Sequence, residues 1–195
     1  EVELTAGARY THETKKSTYF QPYVNPALVG LFTPQTNNPA TTLNRSQTFN
    51  NWSPEATITW RPSKNMTVYA AYKTGYKSGG FSNSGIFSPA DPNGDGMVFE
   101  PEKAKGFEGG IKTTTLDRQL RFNIGVYRYT YSGLQVDYFD PLSIRYITRN
   151  AGSSKTRGIE TELEFVPRSI DGLTIRSTLN YNRSRYSNFL APCWQ

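Results

Sequence analysis

The stretch ATITWRPSKNMTVYAAYK, Ala56 to Lys73, decides how the rest of the chain is read. Ala56, Ile58 and Trp60 alternate with Thr57, Thr59 and Arg61, and Met66, Val68, Ala70 and Tyr72 alternate with Thr67, Tyr69, Ala71 and Lys73. Successive side chains of a strand point to opposite faces, so each run has one apolar face and one more polar face. Between them, Pro62-Ser63-Lys64-Asn65 supplies turn residues, and the two runs are predicted to form a β-hairpin with a tight turn.

Working outward, Val2, Leu4, Ala6, Ala8 and Tyr10 share one face of a first strand, and the chain is already in strand rhythm at Glu1 to Tyr10, which suggests a segment of something longer. Residues 14–48 lose that rhythm and collect Pro22, Pro26, Pro34 and Pro39, which predicts a long irregular loop. A second Gly- and Pro-rich connection covers residues 78–102. Phe107, Gly109 and Ile111 then oppose Glu108, Gly110 and Lys112, and a tight turn around Leu116-Asp117-Arg118 leads into a long strand from Leu120 through Tyr131 toward Val136. After a connection near residues 137–143, the run 144–166 sets Ile159, Thr161, Leu163 and Phe165 against Glu160, Glu162 and Glu164. The turn at 167–172 is short, and Leu173 to Tyr181 alternates again.

Tight turns therefore alternate with mostly longer loops along about seven strands. In up-and-down order every short turn falls at one end and every long loop at the other, the layout of an outer-membrane β-barrel with trim periplasmic turns and elaborate extracellular loops. Several runs reach the roughly 9–11 residues that a tilted strand needs to cross a bilayer. Tyr10, Trp52, Trp60, Tyr76, Tyr129, Tyr131 and Tyr181 near strand ends fit interfacial girdles. A soluble, lipocalin-like barrel has the same alternation and is the competing architecture.

The bulk numbers are compatible with this. Aromatic residues make up 14% of the chain, and with abundant Thr, Asn, Ser and Gly they favour β-structure over packed helices. No apolar run of about 18 residues exists to form a transmembrane helix. Negative mean hydropathy does not argue against a barrel, which shows lipid only every second residue. A net charge of +6 is spread along the chain without a basic run or a nucleic-acid motif, so nucleic acid is not an expected partner. Cys193 is the only cysteine, either an inert thiol or half of a disulfide whose partner lies elsewhere.

Four further stretches accompany TVYAAYKTGYKSGGF (Thr67–Phe81): FEPEKAKGFEGGIK (Phe99–Lys112), LRFNIGVYRYTYSGLQV (Leu120–Val136), NAGSSKTRGIETELEF (Asn150–Phe165) and NFLAPCW (Asn188–Trp194). In this order they resemble the barrel of TonB-dependent outer-membrane receptors, over nearly the whole chain except residues 14–48. The resemblance implies an all-β fold: about seven antiparallel strands from a barrel of about 22, a size whose lumen holds a plug. Neither a plug nor a TonB-contacting box is among these residues, so the chain reads as an internal part of the barrel. By resemblance the whole protein, in the bacterial outer membrane, imports a scarce small molecule such as a ferric siderophore. TonB and the inner-membrane motor would supply the energy through the plug, and outer-membrane lipid would surround the strands. A passive porin or a soluble binding barrel are the alternatives.

Candidate sites follow from this layout. Lys73, Lys77, Glu108, Lys112, Glu160, Glu162, Glu164 and Arg176 lie on the polar strand faces and are expected to line the lumen. Ligand contact is expected from loop aromatics, Tyr19, Phe20, Tyr23, Phe81, Phe87, Tyr138 and Phe139, because binding residues concentrate on loops held by a rigid scaffold. DPNGDGMVFEPE (Asp91–Glu102) places Asp91, Asn93, Asp95, Gly96 and Glu102 at EF-hand positions. The flanks alternate like strands instead of forming helices, so the stretch reads as an Asn/Asp/Gly turn, with Asp91, Asn93, Asp95 and Glu102 kept as a weak Ca²⁺ candidate. No cofactor is otherwise expected. No catalytic residue is expected either: His12, the sole histidine, borders a loop without a Ser or Cys partner pattern.

Overall fold

A computed structural model describes residues 1–21, 41–82, 94–140 and 145–188. Seven strands, β1 (Val2–Gln21), β2 (Thr41–Ser63), β3 (Met66–Lys77), β6 (Glu102–Thr115), β7 (Leu120–Ser132), β10 (Ser153–Phe165) and β11 (Ile175–Ser187), form one antiparallel sheet in chain order. Two small hairpins stand outside it, β4 (Gly80–Phe81) with β5 (Val98–Phe99) and β8 (Gln135–Asp140) with β9 (Arg145–Asn150). The only helical element among the described residues is a 3-10 turn at Asp95–Met97.

The register fixes the two faces. Leu4, Ile58, Ala70, Gly109, Val126, Ile159 and Tyr181 oppose one another in a single row from β1 to β11. Val2, Trp60, Val68, Ile111, Ile124, Thr161 and Leu179 form the next row toward the tight turns. This face is left uncovered: Leu4 is 75% exposed, and further along the same face Trp52, its ring tilted by 40° to that of Tyr10 at a centroid separation of 5.0 Å, is 66% exposed. A continuous apolar face of this size on a water-soluble monomer would be an association site; against hydrocarbon it is solvated.

Three of the tight turns close at the same end. The one after β6 is strained, with Leu116, Asp117 and Arg118 all at positive φ (53°, 49° and 69°), a conformation disfavoured for residues bearing a Cβ. Its backbone is tied to the next turn, because Arg168 donates from Nη2 to the Asp117 carbonyl at 2.8 Å and the Val166 amide donates to the Gln119 carbonyl at 2.8 Å.

The long-loop end differs from the sequence reading in three places. Residues 14–21 and 41–48 are strand, not irregular loop: β1 and β2 pair without a break from Val2↔Trp60 to Gln21↔Thr41. At about 3.3 Å per residue this ribbon is roughly 65 Å long, far more than a bilayer needs. Beyond the membrane both faces are wet, so alternation disappears while pairing continues through polar cross-strand contacts such as Thr14–Thr48 at 3.0 Å and Thr18–Asn44 at 2.8 Å. The predicted connection 78–102 contains β4, β5 and the 3-10 turn. The two long strands predicted from Leu120 toward Val136 and over 144–166 are each broken, at Gly133 (φ 66°) and at Gly152 (φ 108°), so that β8 and β9 turn away as their own hairpin.

Tyr129 and Tyr131 are also corrected. They oppose Gly106 and Ala104 on the polar face and do not belong to a lipid-facing girdle, whereas Tyr10, Trp52, Trp60 and Tyr181 share the apolar face. The period of two already separates 129 from Val126, and proximity to a strand end cannot override it.

Candidate functional site

All eight charged residues expected in the lumen fall on the face opposite the apolar rows. There they are stitched across strands. Lys73 Nζ lies 2.6 Å from Glu108, whose second oxygen accepts the Tyr129 hydroxyl at 2.8 Å. Arg176 reaches Glu164 at 2.8 Å, with Arg121 on the other side of the same carboxylate at 3.7 Å. Asn180 donates to Glu160 at 3.0 Å and Asn123 to Glu162 at 3.1 Å, while Lys112 sits 5.8 Å from the centre of the Tyr69 ring. Cross-strand pairs of this kind are worth a few tenths to about 1 kcal/mol each, and together they set a wall of alternating charge.

The wall ends in a cleft where β2 leaves β3. The two strands pair only from Ala56↔Tyr72 to Ser63↔Met66; above this the β1–β2 ribbon stands clear, with Thr74 Oγ1 donating to the Pro54 carbonyl at 2.9 Å. The gap, about 810 Å³, is bordered by Gly7, Arg9, Thr11 and Glu13 of β1, Ser53 and Glu55 of β2, and Gly75, Tyr76 and Lys77 of β3. Arg9, Lys77, Glu13 and Glu55 all border it, so the cleft offers charges of both signs and suits a polar ligand. Of these residues the sequence reading named Lys77 as lumen-facing and Tyr76 as a girdle aromatic, and none of the others as a site residue. The signal for the others was the polar series Glu3, Thr5, Gly7, Arg9, Thr11 and Glu13, which keeps its parity past the point where the apolar partner series fades.

Above the cleft the loops pack on one another. Among the described residues the buried apolar side chains are Phe49, Ala71, Met97 and Ile147; Ala71 and Phe49 belong to the seven-stranded sheet, Phe49 in the extension of β2 above its pairing with β3. The Phe49 ring covers Gly79, where a Cβ would lie 2.8 Å from Cε1. Lys15 donates to the Gly79 carbonyl at 2.8 Å and Arg45 pairs with Asp95 at 2.6 Å, tying the ribbon to the β4–β5 hairpin. That hairpin meets the next: the Ser82 hydroxyl accepts the Thr148 amide at 3.0 Å.

Asn150 is the hub of this layer. Its Oδ1 accepts the Glu100 amide at 2.7 Å, and its Nδ2 donates to the carbonyls of Glu100 at 2.8 Å and Gly133 at 2.7 Å. Each such bond contributes on the order of 1 kcal/mol net. Asn150→Ala is expected to loosen the layer by about 1–3 kcal/mol, read as at least tenfold faster limited proteolysis between residues 78 and 150 with unchanged heat resistance of the main sheet. Parental cleavage rates in the variant would remove Asn150 from this role.

Of the aromatics expected to meet ligand, Tyr19 and Phe20 lie on opposite faces of the ribbon, opposing Leu43 and Thr42. Phe81 pairs with Val98. Tyr138, 6.0 Å from the Arg149 guanidinium, and Phe139, edge-on to Tyr146 at 5.4 Å, sit on opposite faces of β8. Tyr23 and Phe87 lie outside the described residues, as do Asp91, Asn93 and Cys193. Asp95 is paired with Arg45, and Glu102 Oε2 accepts the Gln135 amide at 3.1 Å. No group of three or more His, Cys, Asp or Glu poised for a metal occurs among the described residues. His12 Nδ1 lies 2.7 Å from Asn50 Oδ1 on the ribbon.

An antiparallel sheet with one lipid-ready face, one charged face, tight turns at one end and a packed loop layer at the other defines a membrane β-barrel of the receptor type. Residues 1–191 match the family model described as TonB dependent receptor-like, beta-barrel, and the chain belongs to that family. It is 28% identical over 109 residues to the probable TonB-dependent siderophore receptor PiuA of Acinetobacter baumannii, covering 56% of this chain and 14% of that protein. The ferric yersiniabactin uptake receptor FyuA of Yersinia pestis superposes with a TM-score of 0.68 at 16% identity, over 96% of this chain and 25% of its own. The copper transporter OprC superposes with a TM-score of 0.68 at 13% identity, over 96% and 27%. The chain thus spans a seventh to about a quarter of the length of these relatives. Family membership places it in the outer membrane of a Gram-negative bacterium, with the apolar rows against lipid and the long loops outside the cell.

Proposed function

We propose that this chain forms part of the wall and the extracellular mouth of a receptor that imports a ferric siderophore or similar small molecule, with energy delivered by TonB through a plug. The observation that carries the reading is the polar cleft beneath the β1–β2 ribbon, at the junction of lumen wall and loop layer, in a chain whose curated relative is named a siderophore receptor. The cleft is lined by charges of both signs, as a chelate with mixed donor and acceptor groups requires, and the loop aromatics above it offer flat surfaces for an aromatic chelator. Lumen charge and hydration by themselves would equally serve a passive pore, and the energy requirement separates the two.

The test is uptake of radiolabelled iron, presented with a panel of catecholate, hydroxamate and phenolate siderophores, by iron-starved cells carrying or lacking the full-length gene. Uptake of at least one chelate should require both the gene and TonB. Uptake that persists without TonB, or that extends to uncharged solutes of similar size, would identify a diffusion pore instead.

A further inference from the structure

The lipid-facing surface is not apolar throughout. One row above Leu4 and Val126, toward the loops, the opposed residues are Ala6, Ala56, Tyr72 and Phe107 on β1 to β6, but Arg128, Arg157 and Arg183 on β7, β10 and β11. One row higher, Lys105, Thr130, Lys155 and Arg185 continue across the same strands. Neighbouring strands are about 4.8 Å apart, so three guanidinium groups stem from adjacent positions, an arrangement of like charges that destabilises a sheet unless something neutralises it. Among the described residues none of these six cations is paired with a carboxylate, and neither row contains Asp or Glu. By contrast the lumen face one residue away is studded with ion pairs. A hollow of about 300 Å³ lies among Arg128, Lys155, Arg157, Arg183 and Arg185.

Position gives these charges a partner. On β7 the lipid-facing apolar side chains are Leu120, Phe122, Ile124 and Val126, and Arg128 follows. Eight residues above Leu120, at about 3.3 Å per residue and a tilt near 40°, Arg128 stands roughly 20 Å up a hydrocarbon band about 25 Å tall. Arginine is costly at the centre of that band and tolerated only at its border. We propose that this patch binds the phosphate groups of an anionic lipid of the outer leaflet, with Arg128, Arg157 and Arg183 gripping phosphate oxygens through their planar donor pairs and Lys155, Arg185 and Lys105 completing the field. Beneath it, Val126, Ile159 and Tyr181 receive the acyl chains. The proposal rests on the outer-membrane placement of the chain and is independent of which ligand the receptor imports.

The test uses the delipidated full-length receptor in a non-ionic detergent and native mass spectrometry with three probes: diphosphoryl lipid A, the same lipid freed of phosphate, and inorganic phosphate. The wild-type protein should retain diphosphoryl lipid A at least tenfold more tightly than the dephosphorylated form. The triple variant Arg128→Gln, Arg157→Gln, Arg183→Gln, and separately the pair Lys155→Gln, Arg185→Gln, should lose most of that preference, whereas Arg176→Gln on the lumen face should not. Equal retention of the two lipids by the wild-type protein, a comparison that needs no variant, would overturn the proposal. So would a preference that survives in the two patch variants once their heat-modifiable folded form is verified. Micromolar binding of inorganic phosphate would reassign the patch to a soluble anion. Loss of siderophore uptake in the cell assay has no bearing on any of these outcomes.

Discussion

Excising Ser17–Arg45 from the full-length receptor and joining Lys16 to Ser46 through Asn-Gly is expected to leave a folded barrel whose ligand uptake falls at least tenfold. Lys16 and Ser46 are directly opposed in the ribbon, so a tight hairpin turn can replace everything above them without shifting the register below. Glu13 and Phe49 are retained, and with them the floor of the cleft and the cover over Gly79. What is lost is the Arg45–Asp95 pair, the Leu43 side chain lying against Gly94, and Tyr19 and Phe20. The barrel strands cross the membrane without help from this arm, whereas the β4–β5 hairpin leans on it. Folding is read from the mobility difference between boiled and unboiled protein on a gel, and uptake from labelled iron chelate. Normal uptake by a folded deletion variant would exclude the ribbon from the binding site.

Gly158→Val should have the opposite profile, preventing the receptor from reaching its folded form at all. A Cβ at Gly158 would lie 2.5 Å from Tyr127 Cζ and 2.6 Å from the Tyr181 carbonyl oxygen. The Tyr127 ring is held across the glycine, its hydroxyl accepting Asn182 Nδ2 at 2.7 Å. The ring could swing away, but the carbonyl belongs to the paired backbone of β11 and cannot, so the loss should exceed about 4 kcal/mol, the range reserved for overpacked or broken cores. Gly158→Ala combined with Tyr127→Ala removes one of the two obstructions and should recover only part of the folded fraction. Gly75→Ala is the control on the same face: its nearest neighbour would be Ala104 Cβ at 3.5 Å, an ordinary contact, and the protein should fold as the parent does. An unboiled Gly158→Val sample that runs as compactly as the parent would show that the strands part more easily than this geometry implies.

How much was legible before the structure depends on what surrounds each residue. Ala56–Lys73 was read correctly as a hairpin because lipid on one side and water on the other impose a period of two. The β1–β2 pair was unreadable at residues 14–21 and 41–48, where water reaches both faces and pairing is carried by Thr14, Thr18, Asn44 and Thr48. Gly133 and Gly152 were visible in the sequence, but that they break two strands and fold β8 and β9 away is a tertiary fact. The charged wall was legible by parity alone, all eight members landing on one face. The cleft was not, because it exists only where β2 parts from β3, and no local pattern marks that divergence. Arg128, Arg157 and Arg183 share the parity of Val126 and Ile159, yet their adjacency comes from the register of three strands.

In the main sheet each strand pairs with the one that follows it in that sheet along the chain. Closing a short turn restricts few residues, so each hairpin can zip from its own turn once the preceding strand offers an edge. Assembly can therefore advance like a growing ribbon, one antiparallel hairpin at a time, without threading any segment through another. The exceptions are the pairs joined by long connections, β1 with β2, β3 with β6 and β7 with β10, and the longest of these, from Lys77 to Glu102 between β3 and β6, is the step at which assembly should pause.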